Sequence, residues 1–368
     1  MADPSREDRG GLELRLDRRR ALLTLALALV LVLGTASLIG HASDVDELLD
    51  AVRDADGRWF PLCLGGIAAA YVGYVLLYRE VAGYGGGPVL PVWTATRVVA
   101  LGFGATVLGS AAGALAVDFW ALRRAGESTH AAARRVLALN TLEWLMLGGG
   151  AALAGSVALV GMIDAPVGMS VAWLVAAPVL TGIGLLVVRN RTIAPEVDET
   201  TERPTAVLRE PRTWRPWVVY AARRGLADAL DGCVIVRAMA IRPRRYVRGL
   251  IGCATYWGGH MVCLGAALHA FGERPRVAAV VLAFATGYVA SSLPLPAGGA
   301  GGIEAALAFS LNAVGVDLAV AVLAVLVYRG FTFWLPLAPA FVVLPRLTSV
   351  ASALDAVRDA RLGPRSSG

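Results

Sequence analysis

Lysine is absent from this 368-residue chain, so all 34 of its basic residues are arginines. A basic set made of arginine alone reflects the composition of a genome more than a functional choice. The arginines sit beside apolar runs, as they do at the cytoplasmic ends of membrane spans. The net charge of +6 therefore gives no support to a nucleic-acid partner. Cysteine is scarce as well. Cys63, Cys233, Cys253 and Cys263 have no metal-ligand spacing, and three of the four lie inside apolar runs. They read as small buried hydrophobes, with neither a disulfide framework nor a zinc site implied. No Ser/His/Asp, HExxH, Walker or GxGxxG arrangement stands out, so no soluble catalytic domain, metal or cofactor is expected.

What the chain has in abundance is hydrocarbon. Hydrophobic residues make up 57% of it and the mean hydropathy is +0.62, well above a soluble domain. Apolar runs of bilayer length recur, which predicts an all-α polytopic membrane protein with about six full spans and two broken or re-entrant hairpins. Residues 1–20 form a polar tail whose six arginines hold the N-terminus in the cytoplasm. The run 21–40 is longer than a signal-peptide core and is read as a retained anchor. Residues 41–58 are acidic and external. Val45, Leu48, Leu49 and Val52 fall on one face there, the pattern of an amphipathic helix at the membrane surface. Spans follow at 59–78, 136–163, 167–188, 246–271, 277–293 and 317–345. Between the halves, residues 189–248 carry 13 arginines against 7 acids, first as a loop and then as an interfacial helix over about 217–241. The predicted organisation is a transmembrane domain over 21–345, with halves at about 21–188 and 246–345 separated by the segment 189–245. Residues 346–368 form a second cytoplasmic tail.

Charge bookkeeping sets the topology. A single crossing by residues 97–117 would leave the arginine-rich loop outside, against the positive-inside rule. The conflict disappears if residues 97–122 enter from the cytoplasm and turn back; by the same rule 277–316 enter and return from outside, so that the last span delivers the arginine-bearing tail to the cytoplasm. These two hairpins are also alike in sequence. "GALAVD" (113–118) aligns with "GAGGIE" (299–304), and each ends in an acid 25 residues before a second charge, Asp118 before Glu143 and Glu304 before Arg329. Similar units of opposite orientation mark an inverted repeat, with the substrate at the repeat interface.

The second hairpin, "SSLPLPAGGAGGIEAALAFSL" (291–311), cannot be an ordinary span. Pro294 and Pro296 remove backbone donors, and Gly298, Gly299, Gly301 and Gly302 carry no helical preference. Irregular backbone at membrane depth survives only beside protein or a water-filled cavity. A broken hairpin thus implies a cavity, and the half-helix beginning at Glu304 offers free amides to an anion. Arg329 sits mid-span, where an arginine costs about 3 kcal/mol on insertion scales, so it needs a partner. Glu304 is the evident one, either as a structural tie or as a carboxylate that a lipid phosphate displaces. Glu143 has no basic partner in its span and reads equally as inert or as cavity-facing. Asp118 reads as a solvated helix end, and His260 as a satisfied core histidine.

"PLPAGGAGGIEAALAFSLNAVGV" followed by "AVLVYRGFTFWLPL" resembles the C-terminal signature of the lysylphosphatidylglycerol synthase transmembrane (flippase-like) family. Pro296, Gly298, Gly299, Glu304, Tyr328 and Arg329 carry the match. The resemblance implies a membrane domain that moves aminoacylated lipid between leaflets. In bifunctional members a cytosolic domain adds the amino acid from charged tRNA. The chain ends 23 residues after Pro345, so lysyl-lipid synthesis by these residues alone is not expected. The first hairpin departs from the family pattern: "SAAGALAVD" replaces a Pro-Gly motif with Gly-Glu, and Trp144 stands where an arginine often follows the glutamate.

The expectation is a multi-pass inner-membrane protein that flips or transports a phospholipid, glycolipid or polyprenyl-linked lipid. Arg329, Glu304, Glu143, Asp118 and Tyr328 are the candidate head-group residues, and a separate lipid-synthesising enzyme is a possible partner. One alternative is a lipid-linked glycosyltransferase using Asp44 and Asp46, although both acids also fit the polar face of the amphipathic helix. The other is a non-transporting partner subunit.

Overall fold

A computed structural model describes Val30 and residues 53–109, 111–191, 214–293 and 300–363. The anchor at 21–40 (Val30 apart), Asp44, Asp46, Pro294, Pro296, Gly298 and Gly299 lie outside the described residues. Among the described residues the chain is helical and without strands. Its α-helices are α1 (Phe60–Ala82), α2 (Val92–Gly109), α3 (Ala111–Arg124), α4 (Thr129–Leu159), α5 (Val167–Val187) and α6 (Trp214–Ile241). The second half comprises α7 (Val247–Ala270), α8 (Val277–Tyr288), α9 (Gly302–Ala313), α10 (Leu318–Arg329), α11 (Leu337–Val343) and α12 (Leu347–Leu362). Among the described residues, four stretches are long and apolar enough to cross a membrane: Gly57–Ala82, Thr129–Leu159, Val167–Val187 and Leu318–Leu362. The protein is an all-α polytopic membrane protein.

Local chemistry places the helix starts. Pro61 occupies the first turn of α1, where its missing N–H costs nothing. Ser128 caps α4 by accepting from the Ala131 amide at 3.2 Å, and Asp317 caps α10 by accepting from Val320 at 3.1 Å.

The central pair is α1 against α7, and glycine permits it. A methyl at Gly73 would stand 2.5 Å from the Gly252 carbonyl oxygen, and one at Gly66 would stand 2.7 Å from that of Gly259. Backbones this close gain dispersion contacts that lipid tails cannot match, the usual basis of helix association in a bilayer. The partners run in opposite order along the chain, so α1 and α7 are antiparallel. Each is followed by a two-helix hairpin, α2–α3 and α8–α9, and then by a helix carrying an internal charge. The hairpins begin at opposite ends of the α1–α7 pair, as the inverted repeat predicts. Gly287 sets the second hairpin: a methyl there would lie 2.6 Å from the Leu307 Cα.

After Arg329 the last span changes pitch. Residues Gly330–Trp334 form a π-turn, closed by the Leu335 amide donating to the Gly330 carbonyl at 2.9 Å. Such turns recur at functional sites because they re-aim side chains on the same helix.

Within the segment that follows the last span, residues 347–362 form the helix α12, docked on the first hairpin. Arg124 pairs with Asp355 at 2.8 Å, and Arg361 reaches Glu127 at 2.5 Å. Glu127 is fully buried and also accepts from Arg135 at 2.6 Å. The Arg135 guanidinium in turn donates to the carbonyls of Ala82 and Tyr84. These contacts gather the ends of α1, α3, α4 and α12 at one arginine-rich face of the molecule.

Candidate functional site

Residues that flank the turns of both hairpins line a cavity of about 370 Å³. Thr106, Ala114 and Leu115 come to it from the first hairpin, and Ser291, Ser292 and Ile303 from the second. Glu143 reaches it from α4, Tyr256 and His260 from α7, and Tyr328 and Arg329 from α10. Two charges that stand 186 positions apart in the chain thus line one space. The volume suits a ligand head of modest size, since binding pockets run from about 300 to 1,000 Å³.

Arg329 and Glu304 form the expected pair. The arginine Nε donates to Glu304 Oε1 at 2.7 Å, and both residues are buried. This contact is single, not the bidentate fork that guanidinium and carboxylate prefer. Among the described residues, the buried Glu304 Oε2 and Arg329 Nη2 have no hydrogen-bond partner. The guanidinium also stacks on Phe333, with its carbon 4.3 Å from the ring centroid. That contact fixes the plane of the guanidinium without consuming its donors. Gly301, at a φ of +84°, is the residue from which α9 starts, so Glu304 falls in the first helical turn. A carboxylate there is favoured by the partial positive charge of the helix end.

Asp118 corrects an expectation. It is not a solvated helix end: it is 1% exposed, and Tyr74 of α1 donates to its Oδ2 at 3.0 Å. Tyr78 donates to its backbone carbonyl at 3.3 Å. Its other oxygen is buried and, among the described residues, has no hydrogen-bond partner. Tyr74 lines the cavity, so Asp118 stands behind the wall and orients a phenol that belongs to it. Glu143 lines the cavity directly, and among the described residues no arginine pairs with it. His260 is satisfied, as read from the sequence, through Nδ1 and the Tyr328 hydroxyl at 2.7 Å. It lines the cavity too, and with it Tyr328 acquires a fixed orientation.

Sequence reasoning named Tyr328 but missed the rest of the aromatic wall. Tyr74, Tyr256, Trp257, Tyr288 and Tyr328 surround the charges, with Tyr256–Trp257 and Trp257–Tyr288 centroids 4.9 and 5.2 Å apart. Four of these five carry hydroxyls, so the wall offers both ring faces and hydrogen bonds. The available signal was their recurrence in mid-span instead of at span ends, where tyrosine and tryptophan normally collect.

A helical, multi-pass membrane protein with a polar cavity between two opposed hairpins is the class this architecture defines. Residues 22–340 match the family described as Lysylphosphatidylglycerol synthase TM region. The match covers more than half of the chain, and the chain belongs to that family. Comparison with curated proteins gives no match.

Proposed function

We propose that this protein moves an anionic lipid across the membrane, with the head-group phosphate bound by Arg329 in the cavity between the hairpins. The observation that carries this reading is the half-used guanidinium. A buried arginine that served only to tie two helices would be expected to spend its donors on the partner carboxylate. Arg329 instead lines the cavity, and among the described residues its buried Nη2 has no hydrogen-bond partner. On this reading a phosphate oxygen takes the free donor, and Glu304 competes for the same cation, holding the site when it is empty and yielding when it is filled. Glu143 and the aromatic wall supply a second pole for the remainder of the head group. The arginine-rich face then lies in the cytoplasm, as the positive-inside rule requires.

The test is transbilayer movement of fluorescent phosphatidylglycerol in proteoliposomes, read by dithionite quenching of the outer leaflet. Arg329→Gln keeps side-chain length and removes the charge. The expected result is at least a tenfold slower rate in a protein that still reconstitutes as a folded chain. Movement at the wild-type rate would sink the proposal.

A further inference from the structure

A second space adjoins the cavity and differs from it in character. It is a groove of about 770 Å³ between α4, α5 and α6, floored by the end of the second hairpin. The groove exists because α5 diverges from α4. The two helices touch where a methyl at Gly155 would lie 2.9 Å from the Ser170 carbonyl oxygen. They are still in contact at Gly148, beside Ala177 and Trp173. Beyond that point they separate, and α6 closes the gap from the arginine-rich side. The α5 wall is made of small and aliphatic residues, among them Ala172, Ala176, Ala177, Gly184 and Leu185. Arg237 is the single charged residue among those lining the groove.

Continuity identifies the occupant. Asn140 and Trp144 line both the polar cavity and the apolar groove, so the two spaces share one wall. Trp173 donates to Thr286 at 2.9 Å and ties α5 to the second hairpin at the groove floor. An amphiphile can therefore set a charged head in one compartment and hydrocarbon in the other. From Ala172 to Val188 the lined stretch of α5 rises about 24 Å. That exceeds the roughly 15 Å of one leaflet's hydrocarbon. The groove takes an extended chain along its full length.

We infer that the groove holds one hydrocarbon chain of the lipid whose head group occupies the Arg329 cavity, with Trp144 at the junction of chain and head. This rests on the lipid-transport reading of the cavity. It adds that the substrate is a long-chain lipid, drawn from the leaflet on the arginine-rich side, where Arg237 marks the interface. Hydrocarbon is then sheltered by protein on three sides while the head crosses.

The test uses the full chain in vesicles containing phosphatidylglycerol with a diazirine at mid-chain, irradiated and mapped by peptide mass spectrometry. The groove predicts label on its lining residues, among them Ala172, Ala176, Leu180, Thr181, Val236 and Ala240. Gly184→Leu should cut this at least fivefold, since a side chain there enters open space and leaves the fold intact. Gly182→Leu, also in open space but outside the groove, should not. Equal label on the outward residues Val171, Val175 and Val179, unchanged by Gly184→Leu, would overturn the inference. Arg329→Gln separates the two claims. Groove labelling that persists undiminished in this variant refutes the head-group reading and leaves the groove standing. Total labelling that falls, with the wild-type label outside the groove, refutes the groove alone.

Discussion

The Glu304–Arg329 pair allows a quantitative prediction. Unit charges about 4 Å apart attract by about 4 kcal/mol at the effective dielectric of about 20 that suits protein sites. Against this, each ionised side chain costs on the order of 3 kcal/mol to hold at the bilayer centre. Removing Glu304 as Glu304→Leu loses the attraction and recovers one burial cost, so the variant should be about 1 kcal/mol less stable. Arg329→Met should behave alike. The double variant recovers both costs and should be about 2 kcal/mol more stable than the wild type, as apolar replacements of buried ion pairs often are. The coupling energy between the two sites is then about 4 kcal/mol. The assay is reversible unfolding in mixed micelles, followed by helical circular dichroism, with all four proteins measured in parallel. Additive effects, with a coupling below about 1 kcal/mol, would refute the reasoning, because neighbours in one buried pair cannot be independent. The double variant should be stable and transport-dead, which separates function from folding in one protein.

Other consequences follow from the same geometry. Gly73→Val should separate α1 from α7, because its Cβ would meet the Gly252 carbonyl and the Tyr256 amide at 2.5 and 2.6 Å; loss of about 2 kcal/mol in the same assay is expected for such overpacking. Asp118→Asn keeps an acceptor for Tyr74 and should preserve transport, whereas Asp118→Leu frees the phenol and should slow it several-fold; equal rates would remove Asp118 from the site. Glu127→Gln weakens the contacts to Arg135 and Arg361, and α12 should become accessible to trypsin at Arg358 and Arg361; an unchanged digestion pattern would show that Glu127 does not hold that helix.

How much was legible in the sequence depended on whether a signal was local. Glu304 and Arg329 were readable because each is a lone charge inside hydrocarbon, where an unpartnered ion is expensive. Their spacing placed them on neighbouring elements, α9 and α10. The helix pairs α2–α3 and α8–α9 fall where charge placement put the hairpins: a single crossing by the first would have set 13 arginines against the positive-inside rule, and the tail arginines asked the same of the second. Asp118 was misread because its neighbours Arg123 and Arg124 suggested a wet helix end. The residue that buries it, Tyr74, lies 44 positions away on another helix. The aromatic wall escaped for the same reason: its members come from α1, α7, α8 and α10, and tyrosine in a span carries no mark of what it faces. The docking of α12 was also invisible, because a charged amphipathic segment looks the same whether its charges meet water or the partners Arg124 and Glu127.

The central claim is that Arg329 holds the lipid head group, and native mass spectrometry of gently purified protein tests it most directly. The wild type and Arg329→Gln would be compared, with released lipids identified by fragmentation. The account predicts one enriched anionic, long-chain lipid on the wild type and its loss from the variant. The same lipid retained equally by both proteins would contradict it.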